Sequence, residues 1–238
     1  MRQIFFLLAL TLTVPPPPSN YPLISAGKDE TSRSTSLRPV EFADVDASPD
    51  PEALFQPEAL LIKDQDFLTA YRNGFTILST DNTCSLFFGD RTGRLTVFSQ
   101  MLARFRKGYF NVGLGILMSG NYSNYQDVST GLQYRLFEKE TVNTQGAFYN
   151  QKRFGSQPNV PGVGQFAPNT RGARVLMLLH ELAHLIRGKD GHWLIPDDGS
   201  DINQSRRNTE LVEKYCGEYI RKIELGLSQI RRKRWTDF

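Results

Sequence analysis

The stretch RGARVLMLLHELAHLIR, residues 171–187, decides how this chain is read. Its apolar spacing predicts one helix from Arg171 to Arg187, with Gly188 placed to cap the C-terminus. Inside it, His180-Glu181-Leu182-Ala183-His184 has the form HExxH. Side chains four apart on a helix differ by about 40° in direction, so both imidazoles leave one face and can grip one metal ion. Glu181 stands about 100° round from His180, beside such an ion rather than on it, where a carboxylate can take a proton from water. Val175, Leu178, Leu179, Leu182, Leu185 and Ile186 fall on the opposite side, about 100° to 260° round. The helix is therefore expected to pack one face on a core and to present both histidines to a cleft. Two of the chain's three histidines lie in this motif.

At these residues the chain resembles the zincin metallopeptidases, whose hallmark is HExxH on an active-site helix. The resemblance covers the helix and the strand before it, roughly 15 to 40 residues, and is more specific for a zinc site than for peptidase activity. It implies Zn2+ as cofactor, His180 and His184 as ligands, Glu181 as general base, and a peptide or protein as substrate. It also implies an upstream strand that pairs with extended substrate, and Thr141 to Tyr149 is the candidate. The expected architecture is α+β: a single zincin-like domain with the HExxH helix, a small upstream sheet and a long C-terminal helix.

A catalytic zinc takes a third protein ligand and keeps an open position. The metzincin form places a glycine three residues after the second histidine, where this chain has Arg187; Gly188 and His192 come late, and His192 would reach the ion from a loop. The gluzincin form takes a glutamate from a following helix, for which Glu210 is the candidate. Glu210 lies further from His184 than that form usually has, and it points away from the stripe Val212, Cys216, Tyr219, Ile223, Leu227 and Ile230. In the first turn of such a helix it is also explained by the helix dipole. Aspzincins take an aspartate soon after the motif, and Asp197 and Asp198 follow Ile195-Pro196 in the loop that leaves the helix; as plain chemistry they read as an Asp-Asp-Gly turn. The sequence leaves Asp197, Asp198, Glu210 and His192 open. For oxyanion stabilisation the candidates are His192 and Tyr149.

The other end of the chain bears on location. Arg2 precedes Ile4–Val14, an uncharged apolar run shorter than the ~20 residues a spanning helix needs, and Pro15 to Pro18 break it. Residues 1–26 read as a secretory signal, which predicts a secreted or periplasmic protein with no stable membrane insertion once it is removed. Residues 27–60 read as a disordered leader or propeptide: the segment from Pro15 to about 60 holds nine of the 13 prolines and few large apolar residues. Residues 61–238 read as the metallohydrolase domain. Export makes Cys84 and Cys216, the chain's only cysteines, a candidate disulfide.

Within that domain Phe75 to Leu78 reads as a short β-rich run, Asn82 to Cys84 as the opening of a helix, and Leu95 to Phe105 as helical. Leu132–Lys139 and Thr141–Tyr149 alternate as strands do. Tyr109 to Gly120 is loop or strand, and the prolines and glycines between Gln151 and Thr170 mark a surface loop. Asn208 is expected to N-cap a last helix running to about residue 234. A net charge of +3 is too small to argue for nucleic acid as a partner. The basic run Arg231–Arg234 reads as a solvated helix end that complements the dipole. No P-loop, dinucleotide fingerprint or serine-nucleophile elbow is present, and the oligomeric state is not legible.

Overall fold

In the computed structural model, residues 63–109, 115–151, 160–199 and 201–226 are described, together with the backbone of 38–40. The chain divides at Ser34 and Thr35, and all described residues belong to the second part. The signal (1–26), most of the leader (27–60) and the basic run Arg231–Arg234 lie outside the described residues.

Within the leader stretch, strand β1 (Arg38–Val40) pairs in parallel with Tyr125–Asp127. Helix α1 (Gln65–Ser79) starts at Asp64, whose side chain accepts from the Phe67 amide. The Phe75–Leu78 run belongs to this helix and is not a strand: Phe67, Tyr71, Phe75 and Leu78 recur at helical spacing and are all buried. Helix α2 (Thr83–Phe87) opens as expected at Asn82, which forms a capping box with Ser85. Helix α3 (Arg91–Leu102) begins at the N-cap Asp90 and ends before Phe105, which starts strand β2 (Phe105–Gly108).

Strands β3 (Ile116–Asp127) and β4 (Gln133–Asn143) form an antiparallel hairpin with a bulge between Ser119 and Tyr122. The sheet order is β1-β3-β4-β2. Thr141 pairs with Leu117 of β3 on one side and Arg106 of β2 on the other. At the other end of β4, Tyr134 pairs with both Tyr125 and Ile186. The strand expected to receive substrate is thus an inner strand with both edges paired, and Thr144–Tyr149 is not part of it.

Helix α4 (Arg171–Leu185) carries HExxH and is capped by Thr170, whose side chain accepts from the Ala173 amide. It stops two residues short of the expected end. Ile186 is extended, bridging Tyr134 while its carbonyl accepts from Leu194, so sheet pairing rather than a Gly188 cap ends the helix. Helix α5 (Ile202–Glu224) begins earlier than expected. Asp201 is its N-cap, accepting from Asn203 and Gln204, and Asn208 lies inside the helix.

Helix α4 packs between α1 and α5. Val175, Leu176, Leu178, Leu179, Leu182, Ala183 and Leu185 are all at 0% exposure, each large one contributing roughly 1.5–3 kcal/mol of transfer free energy. The two-faced helix expected from the sequence is instead enclosed on nearly every side, and both histidines are buried with it. A disulfide joins Cys84 of α2 to Cys216 of α5. Among the described residues no helix is long and apolar enough to cross a membrane.

Candidate metal centre

The helical spacing of four brings the imidazoles of His180 and His184 together, Nε2 to Nε2 at 3.1 Å. The loop after α4 folds back so that Asp198 faces both, with Oδ1 2.9 Å from His184 Nε2 and Oδ2 3.3 Å from His180 Nε2. His180, His184 and Asp198 form a group able to hold a metal ion. Separations near 3.3 Å are what three corners of a tetrahedron with ~2.0–2.1 Å bonds require.

The proton positions favour that use. Thr209 Oγ1 lies 2.9 Å from the Ser205 carbonyl and 3.1 Å from His180 Nδ1. A hydroxyl has one proton, and the carbonyl can only accept it, so His180 Nδ1–H donates to the threonine oxygen. That tautomer leaves a lone pair on His180 Nε2, aimed at a second imidazole nitrogen and a carboxylate. Three electron-rich atoms this close need a proton or a cation among them. Burial pushes the Asp198 carboxyl up, but the His180 and His184 side chains against it outweigh that and hold Asp198 well below the ordinary carboxylate range.

Asp197 is oriented differently. Its carboxylate takes both terminal nitrogens of Arg135, one at 3.1 Å, and its Oδ1 is 3.9 Å from His184 Nδ1. Of the adjacent aspartates left open by the sequence, the structure turns Asp198 toward the histidines and Asp197 toward the arginine. Glu210 is exposed on α5 and outside the metal-binding group. It is not in the first turn, because Asp201 starts the helix well before it. His192 is exposed in the hairpin that follows α4, where its carbonyl accepts from Gly188. Tyr149 sits with Phe148, Lys107 and Asp64, away from the histidine pair: its ring lies 4.7 Å from the Lys107 ammonium, and burial and the Asp64 charge raise its hydroxyl pKa.

Glu181 is partly buried beside the donor group. Burial pushes its carboxyl up to about 7, with His180 pulling it down and Asp198 pushing it up. Within reach of its charge stands Glu140 of β4, at 1% exposure, which no motif of the sequence marks. Among the described residues neither Glu140 oxygen has a hydrogen-bond partner. Burial raises its pKa well above the ordinary value; the Arg104 charge opposes this and the Glu181 charge adds to it. Arg135 and Thr209 carry no local signal either. Arg135 sits in an alternating stretch where a cation reads as solvent-facing, and Thr209 is an ordinary polar helix residue.

Compared with protein-family models, with curated proteins and with solved structures, the chain matches none. The functional reading rests on this geometry and on the resemblance of one helix.

Proposed function

We propose that the protein is an exported zinc-dependent metallohydrolase of the zincin type, acting on peptide or protein substrates. The observation that carries the reading is the convergence of His180, His184 and Asp198 with Glu181 beside them. Two imidazoles and one carboxylate suit zinc, which when bound supplies the Lewis acidity that polarises a carbonyl and makes water nucleophilic near neutral pH. His180 and His184 offer their Nε2 lone pairs, the first fixed in that tautomer by Thr209. Glu181 accepts the water's proton on its carboxylate as the carbon–oxygen bond forms, and returns it to the leaving nitrogen as the carbon–nitrogen bond breaks. The apolar run at Ile4–Val14 and the disulfide support export.

The burial of both histidines favours one second reading, a zinc-binding domain without turnover. The purified protein, its His184→Ala and Asp198→Ala variants and its Glu181→Gln variant separate the cases. Metal analysis is expected to find one zinc per chain, lost in the first two variants and kept in the third. Hydrolysis of a peptide library is expected from the parent and not from Glu181→Gln. Zinc without turnover leaves the second reading, and no zinc in the parent protein overturns both.

A further inference from the structure

A metal ligand on a loop must be held in place by something other than the metal, or each binding event carries the cost of ordering it. Asp198 is such a ligand. It lies between Pro196 and Gly199, whose positive φ of 48° marks a turn, in the segment that joins α4 to α5. On the α5 side, Asn208 donates to the Pro196 carbonyl at 2.8 Å. On the sheet side stands Arg135.

Resting on the metal centre proposed above, we infer that Arg135 is a positioning residue: its guanidinium fastens the Asp197–Asp198 loop to the end of the helix that carries both histidines. Arg135 is 1% exposed on inner strand β4, and a buried cation persists only where its hydrogen bonds are satisfied. Its Nε donates to the His184 carbonyl at 3.0 Å, and its two terminal nitrogens take the two oxygens of Asp197. The Trp193 ring covers the guanidinium at 4.2 Å. One planar group therefore touches the backbone of one ligand and the side chain next to another. With the Asp197 carboxylate fixed by two parallel bonds, the adjacent Asp198 side chain is directed at the two imidazoles. The His184 carbonyl lies in the last turn of α4, where carbonyls carry partial negative charge, so the cation is also well placed for the helix.

A plain loop clamp would stabilise the fold whether or not metal is present. A positioning residue changes metal affinity more than the stability of the metal-free protein. Asp197→Asn separates the two. Asp197 is 61% exposed at its side chain, and the amide keeps its shape while losing the charge-assisted fork. Zinc affinity is read by competition with a chelating dye, beside the melting temperature of the metal-free protein, for the parent, Asp197→Asn, Arg135→Lys and the double variant. The expected result is a 10–100-fold weaker affinity in each variant, a metal-free Asp197→Asn that melts close to the parent, and a double variant no weaker than the weaker single one. The visible absorption of the Co2+-loaded Asp197→Asn protein is expected to move away from that of the parent. Parent-like zinc affinity and Co2+ absorption in Asp197→Asn overturn the inference while leaving the metal centre standing. Absence of zinc binding by the parent overturns the centre and the inference together. If Arg135→Lys does not fold, Asp197→Asn decides alone.

Discussion

Thr209 is the smallest part of the centre and the one that fixes its chemistry. By accepting from His180 Nδ1 while donating to Ser205, it selects the imidazole tautomer that can bind a cation through Nε2. Thr209→Val keeps the shape and removes the acceptor. Zinc affinity, measured by dye competition, is expected to fall about tenfold or more, with His180 and His184 untouched. Glu140 bears on pH. Its folded pKa is raised well above 4.5 by burial, so the native protein holds a proton that the unfolded chain releases. Stability is therefore lost as pH rises from about 4.5 through the folded value. Glu181 acts in the same direction in the metal-free protein, between 4.5 and about 7. Glu140→Met is expected to raise the melting temperature of the metal-free protein at neutral pH and to leave it nearly unchanged below pH 4, as scanning calorimetry at both values reads.

Helix α1 shows why element boundaries were harder to read than the site. Phe75-Thr76-Ile77-Leu78 has strand-like composition, yet its neighbours four and seven residues earlier continue a helical stripe, and packing against α3 and α4 overrides local preference. The HExxH helix was legible because its chemistry and its spacing share one period, and α2 was legible because Asn82 carries its own cap. Asp198 was legible only as one of a pair: nothing local says which of two adjacent aspartates turns inward, because Arg135, distant in sequence, makes the choice. Asn208 has the chemistry of a cap but does not act as one, because Asp201, with two amides to accept from, comes first. Replacing that cap by Asp201→Ala is expected to cost ~1 kcal/mol, read by urea denaturation. Gly74 gives a sharper test at this scale. Alanine at a helix-interior glycine normally gains ~1 kcal/mol, but a Cβ here would lie 2.7 Å from the Phe98 ring, itself fully buried. Gly74→Ala is expected to destabilise, and a gain in the same urea titration would show that the ring can move aside.

Across the whole molecule, the Cys84–Cys216 disulfide spans 132 residues and joins α2 to α5, the helix that also carries Thr209. On the chain-entropy account a loop of that size is worth ~5 kcal/mol, so reduction is expected to lower the melting temperature by many degrees. Zinc at a hundred times its dissociation constant would restore about 2.7 kcal/mol, and calorimetry of the reduced protein with and without zinc measures how much returns. The same arrangement sets an order in time. The histidines, Asp198 and the threonine beside His180 all lie from His180 to Thr209, two positions 29 apart, whereas Cys84 and Arg135 precede that window. A ribosome therefore delivers the scaffold first and the residues of the proposed centre later, with Cys216 after them. During translation, the residues of the sheet and first helices emerge before His180, His184 and Asp198, and the covalent latch can close only after all three have emerged.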